Sequence, residues 1–237
     1  YKLFIGGEWR DSHCGGYIDS HNPATGEFLA KVVDACDKDV DDAIEEARKA
    51  YETWSQVTTN DRAAILDKIA DKIEENTEYL ATIESMDNGK PIRETLAIDV
   101  PYSVEHFRYF AGAIRSEEGT SNILEGNKLS LVLREPIGVV GQIVPWNFPF
   151  LMAAWKLAPV IAAGDTTVIM PSSSTSLSLL ALMDLIKDIV PKGVINVVTG
   201  RGSKSGDYLI HHDGLDKLAF TGSTAIGREV GIQAAKK

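Results

Sequence analysis

From residue 137 onward, short apolar runs alternate with stretches of helical length, and this alternation constrains the chain more than any other feature. The run Val139 to Val144 leads into a helix expected over 148–163 and closed by Gly164. Thr166–Ile169 precedes a helix over 175–189, Val194–Val198 one over 202–211, and Lys217–Phe220 one from about 223. Strands separated by helices of this length form βαβ units, which build a parallel sheet. The runs are nearly continuous in apolar character rather than alternating, so the sheet is expected to be covered on both faces. The fold class is therefore α/β.

The first half reads as mostly amphipathic helix after a small β piece over 2–33. Val40, Ala43, Ile44, Ala47, Tyr51 and Trp54 repeat at helical spacing over 39–55. Asn60 is placed to cap a helix over 61–75, whose Ile65, Leu66, Ile69 and Ile73 share a face. A third helix over 77–87 stops at Asn88-Gly89, and a fourth covers 93–113. Gly119, Gly126-Asn127 and the run Leu129 to Leu133 predict a hairpin over 119–136. It is too thin to stand alone and is expected to pack on something, another subunit included.

Composition excludes some functions. A net charge of −10 argues against nucleic acid or an anionic membrane as the main partner, because both reward a basic face. The longest apolar stretch, 148–164, is broken by Lys156 and Pro159 and is short for a membrane span. No leader-like charged and apolar segment opens the chain. Cys14 and Cys36 are too few for a disulfide framework, and no Cys/His cluster has zinc spacing. Such sparse cysteine use fits a reducing cytoplasm.

The chemistry is expected at the strand ends. Open α/β sheets bind ligands outside the carboxyl ends of their strands. Val144-Pro145-Trp146-Asn147-Phe148-Pro149 sets an amide between prolines and aromatics where a strand gives way to a helix. Asn147 is thus a candidate donor, though it could equally cap the helix that follows. Gly200-Arg201-Gly202-Ser203-Lys204-Ser205-Gly206 follows a strand but is one residue too long for the usual dinucleotide fingerprint, and no P-loop is present. Phe220-Thr221-Gly222-Ser223-Thr224-Ala225-Ile226-Gly227 is more specific. Its small hydroxyl residues at a strand-to-helix turn point to an anion or phosphate site.

Taken in order, these segments resemble the NAD(P)-dependent aldehyde dehydrogenase superfamily. Phe4-Ile5-Gly6-Gly7-Glu8-Trp9 is similar to its opening strand, and Asn22-Pro23-Ala24-Thr25-Gly26-Glu27 to its N-terminal turn. Asp87-Asn88-Gly89-Lys90-Pro91, Glu135-Pro136-Ile137-Gly138-Val139, the Asn147 segment, Gly200 to Gly206 and the Phe220 segment follow in the family's order. The resemblance implies a variant Rossmann sheet that binds NAD, with NADP as the alternative, and the 119–136 hairpin as an oligomerisation arm. It implies aldehyde oxidation through a cysteine thiohemiacetal, with Asn147 donating to the oxyanion. Ser223 would bind the pyrophosphate, while Gly202 and Gly206 would allow close approach. Ile143, Val144, Pro145, Trp146, Met170, Ser172, Ser173, Phe220, Thr221 and Gly222 would line the cofactor. Phe150, Met152 and Trp155, with Phe107 or Tyr109, would suggest an apolar tunnel toward the aldehyde. Lys156 is read as a snorkelling or paired lysine.

Two departures qualify the resemblance. Met170-Pro171-Ser172-Ser173 stands where the family usually reads Lys-Pro-Ser/Ala-Glu, so the ribose loses both a cation and a carboxylate. The family's general-base glutamate and nucleophilic cysteine lie beyond the Phe-Thr-Gly-Ser motif, and residues 1–237 contain neither. The expectation is the NAD(P)-binding domain of an aldehyde dehydrogenase, cytoplasmic and homo-oligomeric, inactive alone. The alternative is a non-catalytic nucleotide-binding or interaction module.

Overall fold

A computed structural model describes residues 1–236. In chain order the strands are β1 (Leu3–Ile5), β2 (Glu8–Arg10), β3 (Gly16–His21), β4 (Phe28–Asp34), β5 (Thr120–Leu124), β6 (Lys128–Val132), β7 (Val139–Ile143), β8 (Thr166–Met170), β9 (Ile195–Val197) and β10 (Lys217–Phe220). The helices are α1 (Asp37–Trp54), α2 (Thr59–Glu75), α3 (Thr77–Asn88), α4 (Ile92–Glu94), α5 (Val100–Arg115), α6 (Pro149–Ala163), α7 (Leu177–Ile186), α8 (Asp207–His211) and α9 (Thr224–Lys236).

The main sheet has the order β10-β7-β8-β9-β1-β2. β10, β7, β8 and β9 are parallel, with Val140 opposite Thr167 and Thr167 opposite Ile195. The sheet is mixed rather than wholly parallel, because the opening residues form an antiparallel edge: β1 pairs with β9, and β2 with β1. Gly6 and Gly7 both have positive φ and turn β1 tightly into β2.

Both faces are covered, as the largely apolar strands lead one to expect. On one face α2, α3, α5, α6 and α7 bury Leu66, Ile69, Phe107, Phe150, Leu157 and Leu180. On the other, α1 and α8 pack Val40, Ile44 and Leu209 against Val139, Val168 and Met170. Successive strand residues serve opposite cores: Val168 and Met170 face α1, and Ile169 faces the larger cluster.

The helix boundaries differ from expectation where capping decides. Thr58, not Asn60, caps α2, its side chain accepting from the Asp61 N–H at 3.2 Å. The helix expected over 93–113 is broken by a π-helical turn at Thr95–Asp99 before α5. The helix expected over 202–211 likewise opens with a π-helical turn, Gly202–Gly206, so only Asp207–His211 is α-helical. α7 is shorter than 175–189, because the serine-rich loop runs on to Ser176.

The Glu135-Pro136-Ile137-Gly138-Val139 segment lies at the amino end of β7. Asp165 accepts from the Ile137 and Gly138 N–H groups at 2.6 and 3.0 Å, and Asp216 from that of Val139 at 2.7 Å. Those residues anchor the sheet's base and do not touch the crest. Cys14 and Cys36 are bonded to each other, with Cα atoms 6.2 Å apart, a link that their number alone did not suggest. β5 and β6 form the expected hairpin as a separate two-stranded sheet, turning at Gly126 and Asn127, both with positive φ. No helix among the described residues is long and apolar enough to cross a membrane.

Candidate functional site

The order of the parallel strands fixes where a ligand can sit. From β7 the chain moves outward to β8 and β9, then returns to place β10 on the other side of β7. The direction reverses between β7 and β10, and the crevice outside their carboxyl ends is the ligand position of such sheets. Ile143 is opposite Phe220 there, and the Thr221 N–H donates to the Ile143 carbonyl at 3.2 Å. The loops that rise from this point carry Pro145, Trp146 and Asn147 on one side and Gly222 and Ser223 on the other.

Asn147 is exposed at the crest, between β7 and α6. It does not cap α6: the N-cap is Phe148, and no side chain bonds the cap. The amide is therefore not consumed by the helix. Of its neighbours, Val144 is buried core, Ile143 and Pro145 are half-buried, and Trp146 is 63% exposed.

Ser223 is the residue before α9. Its hydroxyl accepts from the Ile226 N–H at 3.4 Å and its carbonyl from the Gly227 N–H at 2.9 Å. The first-turn N–H groups of α9 point toward the crest, where the helix dipole favours an anion. Gly222 has a steric reason: a Cβ there would lie 2.5 Å from Phe220 Cζ.

Further along the crest, Met170 is buried at the end of β8, while Ser172 and Ser173 are half-buried in the loop that follows. Ser172 and Ser174 hydroxyls lie 2.9 Å apart. A Cβ on Gly206 would meet Met170 Sδ at 3.3 Å, so Gly206 lets its turn close on the strand. Gly202 does not share that role, since a Cβ there would meet nothing within 4 Å. Arg201 is tied to the buried carboxylate of Asp34, which also accepts the Arg201 N–H at 3.2 Å.

The expected apolar tunnel divides. Phe107 and Phe150 are core, whereas Met152 is half-buried and Trp155 and Tyr109 are exposed. Trp155 stacks near His106, with ring centroids 5.8 Å apart, and burial pushes the His106 pKa down. Lys156 is partly buried, and that burial lowers its pKa. Among the described residues no group of three or more His, Cys, Asp or Glu side chains is placed to hold a metal ion.

One set of contacts was missed from the sequence, where Asn88-Gly89 was read as a helix stop and the surrounding motif as a mark of the family, with no role at the crest. Asn88 Nδ2 donates to the Trp146 carbonyl at 2.6 Å. Lys90 Nζ sits 3.5 Å from the centre of the Phe148 ring and 2.6 Å from Asp99 Oδ2. The fully buried Glu84 accepts the Phe150 N–H at 3.3 Å and the Ser178 hydroxyl at 2.5 Å. Burial raises the Glu84 pKa to about 7, against the opposing effect of those two hydrogen bonds. Asp87, one turn on, accepts from Leu177 N–H at 2.9 Å and Ser20 hydroxyl at 2.7 Å, and burial raises its pKa. The visible signal was the motif Asp87-Asn88-Gly89-Lys90-Pro91 itself, which is more elaborate than a helix stop requires.

Sheet order, crest and strand-to-helix turns define an open α/β protein of the Rossmann type with its switch point between β7 and β10. Residues 9–237 match the aldehyde dehydrogenase family, and the chain belongs to it. It is 52% identical over 230 residues to an aldehyde dehydrogenase of Vibrio cholerae serotype O1, covering 97% of this chain and 46% of that one. The NAD+ complex of an aldehyde dehydrogenase from Bacillus cereus superposes with a TM-score of 0.96 at 42% identity, covering 99% of this chain and 48% of that one. An NAD-dependent aldehyde dehydrogenase from Sinorhizobium meliloti gives a TM-score of 0.96 at 37% identity, covering 100% and 48%. The chain thus spans about half the length of the relatives it matches.

Proposed function

We propose that residues 1–237 form the cofactor-binding half of an NAD-dependent aldehyde dehydrogenase, including the 119–136 hairpin as an oligomerisation arm. The observation that carries this reading is the placement of Asn147 and Ser223 on loops rising from adjacent parallel strands, across the switch point. NAD is the expected cofactor, and NADP is the alternative because Ser173 offers the ribose no carboxylate. When bound, it supplies the hydride acceptor.

The residues present suit such a ligand. Gly222 lets the turn before Ser223 pass close over the Phe220 ring, and Gly206 draws its turn down onto Met170. Ser223 and the first turn of α9 would hold the pyrophosphate. Ile143, Val144, Pro145, Trp146, Phe220 and Thr221 would line the nicotinamide side. Met170, Ser172 and Ser173, with Gly202 at the open end, would line the adenosine side. Asn147 would donate its side-chain N–H to the oxyanion formed on an aldehyde carbonyl, where one such donor contributes about 3 kcal/mol of barrier lowering.

The nucleophile is a separate matter. Covalent aldehyde oxidation needs a thiolate, and Cys14 and Cys36 are joined to each other. The chain alone is therefore expected to bind nucleotide without turning over aldehyde. Calorimetric titration with NAD+ tests the first statement, and NADH absorbance in the presence of acetaldehyde tests the second. Absence of NAD+ binding overturns the assignment. Reduction of NAD+ by the chain alone overturns the division of labour.

A further inference from the structure

The loop that carries Asn147 is short and bounded by Pro145 and Pro149. Each proline fixes its own φ, which leaves Trp146, Asn147 and Phe148 to set the direction of the amide. α3 and the turn after it make contact at each side of Asn147. Asn88 holds the carbonyl of the preceding residue at 2.6 Å, Lys90 lies on the ring of the following residue, and Glu84 takes the N–H of Phe150. The Trp146–Asn147 peptide is planar, so pinning its carbonyl fixes ψ of Trp146 and φ of Asn147 together.

The turn that presents these groups is itself braced. Gly89 has φ +86°, donates to the Ser85 carbonyl at 2.9 Å, and would carry a Cβ only 2.7 Å from Pro23 Cγ. The Ser85 hydroxyl donates to the Lys90 carbonyl at 2.5 Å. Asp99 also holds the Lys90 ammonium, at 2.6 Å, and its carboxylate is almost fully buried. The motif Asp87-Asn88-Gly89-Lys90-Pro91 thereby reaches the crest through Asn88 and Lys90, and the turn at Asn22-Pro23 is joined to it through Gly89.

We propose that Asn88 and Lys90, backed by Glu84, are the positioning residues that aim the Asn147 amide. This rests on the reading of Asn147 as the oxyanion donor. A donor of that kind acts by being held in place before charge develops, so its support matters as much as its identity. Asn88 and Lys90 are not catalytic residues, since they act through Trp146 and Phe148.

The test is ¹⁵N relaxation on the labelled 237-residue chain. In the unaltered protein the backbone N–H groups of 146–148 are expected to have order parameters of about 0.85, as in rigid structure. Asn88→Asp keeps the size of the side chain but removes the donor. It is expected to drop those values below about 0.6 and to release the Asn147 side-chain amide, with the thermal midpoint unchanged because Asn88 is not core. Asn88→Gln, which restores a donor, is expected to recover the order. Lys90→Met combined with Asp99→Asn removes the ammonium without stranding a buried carboxylate, and is expected to loosen Phe148 even if Asn88→Asp fails to fold. Unchanged order at 146–148 in these variants overturns the proposal. Loss of order without recovery by Asn88→Gln also overturns it, because it would show a general loosening rather than a lost donor. The measurement needs neither cofactor nor turnover, so failure of the clamp is distinct from failure of NAD+ to bind.

Discussion

Glu84 Oε2 accepts the Ser178 hydroxyl at 2.5 Å in a region closed to solvent, while Oε1 accepts the Phe150 N–H. One carboxyl group therefore ties α3 to the first turns of both α6 and α7.

That group makes stability depend on pH. Burial lifts its pKa from 4.5 to about 7. Because the folded value is the higher one, the contribution is fully present below the unfolded pKa and is lost as pH rises through about 7. The shift corresponds to about 3 kcal/mol. Urea unfolding at about pH 5 and about pH 8 is expected to show the protein weaker at the higher value. Glu84→Gln, which keeps the shape, is expected to flatten much of that difference. An unaltered difference in the variant would assign it to other groups.

The glycines at the crest give a second test. Alanine at Gly222 would drive its methyl into the Phe220 ring, 2.5 Å away. Overpacking of this kind costs about 1–3 kcal/mol, and a shift of the Ser223 turn is expected to weaken NAD+ binding by about tenfold. Gly231→Ala is the control, because a Cβ there meets nothing within 4 Å and a helix-interior glycine is a weak choice. It is expected to stabilise the chain and leave the affinity alone. Equal NAD+ affinity in Gly222→Ala and the parent would remove this turn from the site.

Much of the fold could be read from the sequence, because it rests on periodicity. The strand–helix alternation after residue 137 and the apolar faces of α1 and α2 are local patterns, and the structure keeps them. What escaped was set by partners distant in sequence. β1 pairs with β9 across Phe4 and Val197, a contact that no local pattern encodes. Thr58 displaced Asn60 as cap because both residue types cap well, and only the observed backbone decides between them. At the candidate site the crest residues were legible through their prolines, glycines and hydroxyls. Their supports were not, because Asn88 meets Trp146 over 58 residues and Glu84 meets Ser178 over 94.

The Cys14–Cys36 bond is a third point of test. It closes a loop with a sequence separation of 22 and fastens the segment before β3 to the start of α1. Cross-links over such loops contribute about 3 kcal/mol, chiefly by limiting the unfolded chain. Protein purified without reductant is expected to show no titratable thiol when denatured, and dithiothreitol is expected to lower its thermal midpoint. Cys14→Ser with Cys36→Ser is expected to reproduce the reduced midpoint and to be insensitive to reductant. Free thiols in the purified protein would instead match the reducing compartment that the composition suggests.

The hairpin provides the remaining test. Register sets Ile123 opposite Leu129 and Ser121 opposite Leu131, and alternate strand residues share a face. Ile123, Leu129 and Leu131 therefore lie on one side of the ribbon, with Ile123 85% exposed, and Leu133 beyond the strand is 73% exposed. An isolated two-stranded ribbon is marginal in water, and a contiguous apolar face of this kind marks an interaction surface. A second copy of the chain is the expected cover. Light scattering is expected to show a species larger than one chain, with its proportion falling on dilution. Ile123→Asp with Leu131→Lys places opposite charges where two apolar side chains stood, and is expected to shift the population to monomer. The core is untouched by these changes, so the thermal midpoint of the α/β body is expected to hold. A parent protein that scatters as a monomer at high concentration would leave the ribbon without the role assigned to it.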